Sequence, residues 1–154
     1  MNKKSLVPIL GAAAVVAAFS TAVIAQEMKA DRAIKYRQGI LQAIGWNMGV
    51  LGGMAKGEVP YDKDKSIRAA TFVSELAQMP WDGFVPGSDT GAPTKAKPEI
   101  WKDKAKFDKL AKDMQAETLK LVAAARTGDV GQLRTAVGAT GKACSNCHDD
   151  FRNK

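Results

Sequence analysis

Apolar residues recur every three or four positions along most of the chain, which is the spacing of one face of an α-helix. Four segments show this pattern, over about residues 31–56, 62–79, 102–126 and 130–151. No run beyond the N-terminal region alternates apolar and polar residues as a half-buried strand would. The pattern therefore predicts four amphipathic helices and no sheet.

The connections between these segments carry recognisable stop and start signals. Pro80 ends the second segment, and Gly128 is a candidate left-handed residue after the third. Asp129 follows as a candidate N-cap of the fourth segment, and the glycines and prolines of residues 85–98 predict a loop. Short links with one long loop favour an all-α fold, an antiparallel four-helix bundle whose cofactor sites lie between facing helices.

The first 25 residues are organised like a secretory signal peptide, with a short basic segment, an apolar alanine-rich stretch and a small residue, Ala25, at a cleavage site. The apolar stretch is shorter than the ~20 residues that a membrane helix needs, so a retained anchor is the weaker alternative. We expect cleavage after Ala25, export without stable membrane insertion, and one mature domain over residues 26–154.

The net charge of the chain limits the kinds of binding partner that we expect. The chain has a formal net charge of +7, and loss of Lys3 and Lys4 with the leader would lower it by two, to +5. The lysines are mixed with acidic residues and form no basic stripe with interleaved aromatic side chains, so nucleic-acid binding is not expected. A moderately basic surface suits an acidic protein partner or an anionic membrane surface.

The candidate chemistry is concentrated near the C-terminus, in the stretch KACSNCHDDFR. It holds both cysteines of the chain, Cys144 and Cys147, and its only histidine, His148. Steps of three and four residues from Val130 reach both cysteines, which places them on the inward face of the fourth helix. C-x-x-C-H is the attachment signature of haem c, in which the two thiols bond to the haem and the next imidazole ligates the iron. We therefore expect one covalent haem c held by Cys144 and Cys147, with His148 as the axial ligand.

Other interpretations of these three residues are weaker. A thioredoxin-like redox pair needs a βαβ context, which the helical pattern does not provide. Structural zinc needs four ligands, and the chain offers only these three. A plain disulfide is allowed in an exported protein, but it leaves His148 without a role.

Two arginines are candidate haem contacts. Arg37 occupies an inward position on the first helix, where a charge is costly unless it is paired, and guanidinium matches carboxylates, so we expect a haem propionate as its partner with Gln38 beside it. The alternative is that Arg37 is rotated and reaches solvent along its stem. Arg152 comes four residues after His148, one helical turn along the same face, where it either sets the electrostatics of the proximal side or stabilises the helix C-terminus.

Four stretches together resemble cytochrome c′, of the class II c-type cytochromes: AIKYRQGIL, MPWDGFVPG, AKPEIW and CSNCHDDFR. The resemblance covers essentially the whole predicted mature chain, although the long loop departs in length from that of some members. It implies a periplasmic bundle with a high-spin, five-coordinate haem, often as a homodimer formed by the first two helices. The haem contacts that it implies are, on the propionate side, Arg37, Gln38 and Thr94 and, in the distal pocket, Leu41, Trp81 and Phe84.

The sixth coordination position separates the function classes. Low-spin relatives place a methionine over the iron, whereas this chain has Leu41 there, and leucine cannot coordinate. Met48, two helical turns further along, would lie about 10 Å away at ~1.5 Å per residue. We expect an open iron site beneath an apolar lid, in a protein that is not an enzyme and acts in electron transfer and/or binding of NO and CO. The alternatives are a dedicated low-spin electron carrier and a weak haem enzyme acting on NO or peroxide.

Overall fold

The computed structural model describes the backbone from Leu10 to Lys154 and the side chains from Lys29 onward. Within this part of the chain there are five α-helices: α1 (Leu10–Lys56), α2 (Lys63–Leu76), α3 (Glu99–Lys102), α4 (Lys104–Thr127) and α5 (Val130–Phe151). A 3₁₀ turn over Pro80–Gly83 follows α2. Helix α1 packs against α2 and α5, and α4 packs against the same two helices, which closes the predicted four-helix bundle.

Helix α1 is longer than the first predicted segment because it continues upstream to Leu10. The added stretch contains no proline and a single glycine, and alanine, its commonest residue, has the highest helix propensity. The first nine residues of the predicted leader lie outside the described part of the chain, and cleavage after Ala25 stays a prediction. Among the described residues, no helix combines the length and the apolar character needed to cross a membrane.

The link between α4 and α5 follows its sequence signals. Gly128 adopts φ 81°, in the left-handed region that favours glycine. The Asp129 side chain accepts hydrogen bonds from the backbone N–H groups of Gly131 and Gln132, which caps the helix as predicted. Both signals are local, and α5 accordingly begins at the predicted residue, Val130.

Helix α2 is shorter than predicted and ends at Leu76 rather than Met79. Proline has no N–H to donate and disfavours a helical residue before it, so the chain tightens ahead of Pro80. The Met79 N–H donates to the Leu76 carbonyl at 3.1 Å, an i→i−3 contact. The tightened turn leads directly into the 3₁₀ segment, which forms part of the candidate site.

The main core draws apolar residues from all four long helices. Leu51, Val73, Leu121 and Leu133 are fully buried within it. The buried face of α1 is rotated slightly from the predicted one. The burial of Ile40 shows this rotation, since its neighbour Leu41 is 36% exposed. Leu41 lines an open cavity instead of joining the core.

A second, aromatic cluster lies beside the main core. Phe107 of α4 is buried at its centre, and its ring meets that of Phe84 at a centroid distance of 4.8 Å and that of Phe151 at 5.4 Å. Both pairs are edge-to-face, an arrangement favoured by the ring quadrupoles. Ile100 of α3 completes the buried set. The cluster therefore joins the 3₁₀ turn, α3, α4 and the end of α5 into one wall.

Gly83 allows the 3₁₀ turn to approach α1 closely. A Cβ at this position would lie 2.8 Å from the Arg37 Cβ and 2.9 Å from the Ala33 carbonyl oxygen. Gly83→Ala should therefore lower the free energy of unfolding by about 1–3 kcal/mol, because two backbones must separate to admit the methyl group. Chemical denaturation would measure the loss.

Gly138→Ala on α5 is the matched control, since a Cβ there would meet nothing within 4 Å. It should raise stability by roughly 0.5–1 kcal/mol, because alanine loses less conformational entropy in a helix. If both variants were equally stabilised, the close approach of the turn to α1 would not exist in solution.

Candidate functional site

A cavity of about 610 Å³ lies between α1, α4 and α5 and is bordered by the 3₁₀ turn and the long loop. Its volume is typical of sites that hold a small molecule or cofactor. The aromatic cluster contributes Phe84, Phe107 and Phe151 to one side, and α1 contributes Leu41 and Ile44 to another. The walls are thus mostly apolar, with a small number of polar groups at defined places.

Helix α5 brings the cysteines to this cavity. Cys144 and Cys147 are half-buried, line the wall and are not joined in a disulfide. Burial raises the pKa of the Cys144 thiol. Burial, Cys144 and the Asp150 carboxylate together raise the pKa of Cys147 to about 11. Both side chains are therefore neutral thiols at pH 7 in an apolar wall.

His148 lies beside the cysteines at the same wall. Its pKa is lowered, chiefly because partial burial disfavours the imidazolium and secondly because the Arg152 guanidinium repels it, while Asp149 opposes the shift. The imidazole is therefore neutral over a wider pH range than usual. A neutral imidazole has a lone pair available for a metal ion.

Arg152 lines the cavity with His148, and its N–H donates to the His148 carbonyl at 3.1 Å, one helical turn back, while its effect on the proximal side stays a prediction. The backbone of Arg152 is extended, at φ −126° and ψ 129°. It forms a single antiparallel bridge with Ala96 of the loop. The neighbouring Lys97 N–H donates to the Phe151 carbonyl at 3.0 Å, so pairing with the loop takes the chain out of the helix here.

Arg37 is 2% exposed, so the alternative in which it reaches solvent is wrong. One terminal nitrogen donates to the Gly83 carbonyl at 2.7 Å and to Ser88 Oγ at 2.6 Å. The other donates to the Ser88 carbonyl at 2.6 Å and to Thr94 Oγ1 at 3.0 Å. The guanidinium also lies 4.6 Å from the centroid of the Phe84 ring, a cation–π distance. Protein acceptors thus satisfy a charge for which we expected a haem carboxylate, and a propionate contact stays a prediction.

Gln38 and Thr94 meet Arg37 at the same corner of the cavity. The Gln38 Nε2 donates to the Pro93 carbonyl at 2.9 Å. Thr94 Oγ1 accepts from the Ala96 N–H at 3.2 Å, as well as from Arg37. The structure therefore brings together the three residues predicted for the propionate side. The side chain of each of them is hydrogen-bonded within this corner, to the loop or from it.

The residues predicted for the distal pocket also line the cavity. Trp81 and Phe84 stack with ring centroids 6.2 Å apart, and the Trp81 Nε1 donates to the Ala77 carbonyl at 2.7 Å. Leu41 faces the same space from α1. Met48, which we had considered too distant for coordination, lines the cavity too and packs against the main core.

Sequence reasoning missed several residues at this site. Ser88 is fully buried and is the main partner of Arg37, yet it lies in a loop without any periodic pattern. Lys95 and Gln42 line the cavity and are exposed. Gln42 was predictable as a lining residue, because it directly follows Leu41 on α1. Nothing in the sequence around Ser88 and Lys95 indicated which part of the bundle the loop would contact.

The charges on the wall are of one sign. Arg37, Lys95 and Arg152 line the cavity, and among the described residues no aspartate or glutamate does. Such a wall suits an apolar ligand that carries negative charge. Haem is a flat, largely apolar ring with two carboxylates, so the residues present fit it.

Comparison with known proteins points to one family. The family model described as Cytochrome C′ matches residues 32–152. Cytochrome c′ of Rubrivivax gelatinosus is 41% identical over 129 residues, which are 84% of this chain and 100% of that protein. The structure of cytochrome c prime from Shewanella frigidimarina aligns with a TM-score of 0.78 at 36% identity, over 81% of this chain and 97% of the other. A nitric oxide complex of a variant of cytochrome c prime from Alcaligenes xylosoxidans aligns with a TM-score of 0.75 at 35% identity, over 81% and 96%.

The four hydrogen bonds of Arg37 generate a test of the loop. Arg37→Lys keeps the charge but replaces a planar fork with a single ammonium, which cannot reach all the acceptors at Gly83, Ser88 and Thr94. We expect a loss of roughly 2–3 kcal/mol in the free energy of unfolding, because buried carbonyl groups lose their donors. Amide hydrogen exchange of the loop should also become faster.

Arg68→Lys on the exposed face of α2 is the control and should change stability by less than about 0.5 kcal/mol. Equal and small effects of the two substitutions would mean that Arg37 does not hold the loop in solution.

Proposed function

Because the chain belongs to the cytochrome c′ family and is a c-type haem protein with one covalent haem c, we propose that it binds NO and CO at an open haem iron and exchanges single electrons in the periplasm. The observation that carries this proposal is the composition of the cavity wall. His148 is the one imidazole among the described lining residues, and α1 presents the aliphatic Leu41. A wall with a single nitrogen ligand leaves one side of a bound iron free for a gas.

The residues at the end of α5 have separate roles in the proposed haem binding. Cys144 and Cys147 would hold the haem through two thioether links, and the His148 imidazole would ligate its iron. Arg152 favours the neutral, ligating form of His148 through repulsion of the imidazolium. The bound haem supplies an iron that gains and loses one electron and accepts a small uncharged ligand.

The remaining lining residues position the haem and shape the space over it. The proposed propionate side is formed by Arg37, Gln38 and Thr94, which meet at one corner of the cavity. Trp81 and Phe84 wall the pocket with stacked rings. Leu41 gives a bound gas no hydrogen-bond donor, which disfavours dioxygen relative to NO and CO, because polar distal donors stabilise bound dioxygen.

We propose a binding and electron-transfer protein rather than an enzyme. Catalysis on peroxide or NO needs a proton donor or acceptor near the reacting atoms. His148 is the described lining residue that titrates nearest to neutral pH, and the proposal assigns it to the iron. For electron transfer, Lys95 and Arg152 at the cavity suit a transient partner with an acidic surface.

The absorption spectrum of the reduced protein, recorded before and after titration with CO, tests the open site. We expect a high-spin spectrum that changes as about one CO binds per haem, because no protein side chain has to be displaced from the iron. A low-spin spectrum that is unchanged by CO would instead support a six-coordinate electron carrier, with Met48 or Met114 of the cavity wall as the sixth ligand.

Leu41→Ala tests the lid. Removal of the isobutyl group should speed CO association by about tenfold, which corresponds to a barrier lowered by ~1.4 kcal/mol. Stopped-flow mixing of the reduced protein with CO would measure the rate. Leu119→Ala on α4 is the control, since Leu119 is 62% exposed and does not line the cavity. Equal rates in the two variants would contradict the placement of Leu41 over the iron.

We also propose a homodimer formed by α1 and α2. The Tyr36 hydroxyl donates to the Met79 carbonyl at 3.1 Å, which joins the second half of α1 to the chain just after α2. On the outer side of these two helices, Trp46 is 77% exposed and Phe72 is 46% exposed. Large exposed aromatic side chains are typical of interface anchors.

Trp46→Glu should weaken this dimer by about 2–4 kcal/mol, because a charge replaces a buried anchor. Sedimentation equilibrium of the haem-loaded protein would measure the dissociation constant. Leu119→Glu makes the same kind of change on α4 and should leave the dimer intact. A wild-type protein that is monomeric at high concentration would remove this part of the proposal and leave the haem site untouched.

A further inference from the structure

Two cations at the cavity, Lys95 and Arg152, have side chains without a hydrogen-bond or ion-pair partner among the described residues, and Lys95 is the one that directly follows Thr94 of the proposed propionate side. Its side chain lines the wall and is exposed, and its Nζ makes no hydrogen bond or ion pair there. Arg37, by contrast, is buried, with one hydrogen bond to the 3₁₀ turn and three to the loop. The difference matters because a haem brings two carboxylates to the site.

The side chains expected to receive those carboxylates are already engaged. Both terminal nitrogens of Arg37 donate to the loop, which leaves only its Nε–H. The Gln38 amide donates to the Pro93 carbonyl. A haem carboxylate at this corner would therefore find few free hydrogen-bond donors, unless another cationic side chain pairs with it.

The backbone holds Lys95 at the rim of the cavity. The Asn153 N–H donates to the Lys95 carbonyl at 2.8 Å. On one side Thr94 is tied to Arg37, and on the other Ala96 pairs with Arg152. The Cα position is thus fixed by contacts on both sides, while the four-carbon stem leaves the ammonium free to turn toward the cavity.

We infer that Lys95 is a cofactor-binding residue whose ammonium pairs with one haem carboxylate and raises the reduction potential of the iron. The inference rests on the haem of the proposed function. A cation near the haem stabilises the reduced form, which carries one more electron, so the sign of the effect is fixed by electrostatics.

Lys97 provides a matched control two residues away. It carries the same charge on the same loop, but its Nζ donates to the carbonyls of Asp149 and Asp150, at 3.2 Å each, and it does not line the cavity. The Lys97 charge would therefore act on the haem only as a long-range electrostatic interaction. Salt screens a long-range interaction more strongly than an ion pair in contact.

The experiment is a spectroelectrochemical titration of the haem-loaded wild type, Lys95→Gln, Lys97→Gln and Lys95→Arg at low and high ionic strength. Lys95→Gln should lower the midpoint potential about three times as much as Lys97→Gln, and the difference should persist in high salt, because a contact pair is less screened. Lys95→Arg should restore most of the wild-type potential, since guanidinium also pairs with carboxylates.

Equal shifts for the two glutamine variants would overturn the inference, because Lys95 would then act only as part of the surface charge. Failure of Lys95→Arg to restore the potential would overturn it as well. Neither result would affect the haem itself. A colourless protein with the mass of the bare chain would instead overturn the proposed function on which the inference rests.

Discussion

A buried guanidinium requires acceptors, and at Arg37 the chain supplies them from the 3₁₀ turn and the loop that follows it. A charge placed in a core costs several kcal/mol unless hydrogen bonds replace its lost hydration. Gly83, Ser88 and Thr94 provide four oxygen atoms for it. Since these residues are far from Arg37 in the sequence, the same bonds fix the loop onto α1. The corner of the cavity, the approach of the 3₁₀ turn and the position of the loop all depend on this one side chain.

The far end of the loop is held in a different way. The Lys97 N–H donates to the Phe151 carbonyl and the Asn153 N–H to the Lys95 carbonyl, on either side of the Ala96–Arg152 bridge. The Lys106 ammonium lies 3.0 Å from the Asp150 carboxylate at the end of α5. Exposed ion pairs of this kind contribute little stability. Backbone pairing and the aromatic cluster around Phe107 therefore determine the geometry of this end. Together the two attachments set α1 and the end of α5 on either side of the cavity.

The sequence was sufficient for features that depend on local signals and was insufficient for those that depend on tertiary pairing. Periodicity predicted the four long helices, and Gly128 and Asp129 predicted the start of α5, because the cap and the glycine act on adjacent residues. The placement of Cys144 and Cys147 on the cavity followed from the same helical spacing. The partners of Arg37 were not predictable, since Ser88 meets it only after the loop folds back. The departure of Arg152 from the helix likewise depends on the loop.

The apolar setting of Cys144 and Cys147 has a consequence for maturation. A thiol forms a disulfide by way of its thiolate, and burial raises the pKa of both thiols, that of Cys147 to about 11. In an oxidising compartment, a folded chain that has not yet received its haem would therefore close this pair only slowly. The wall that surrounds the cofactor would thus slow the competing oxidation of its own two thiols in the empty precursor.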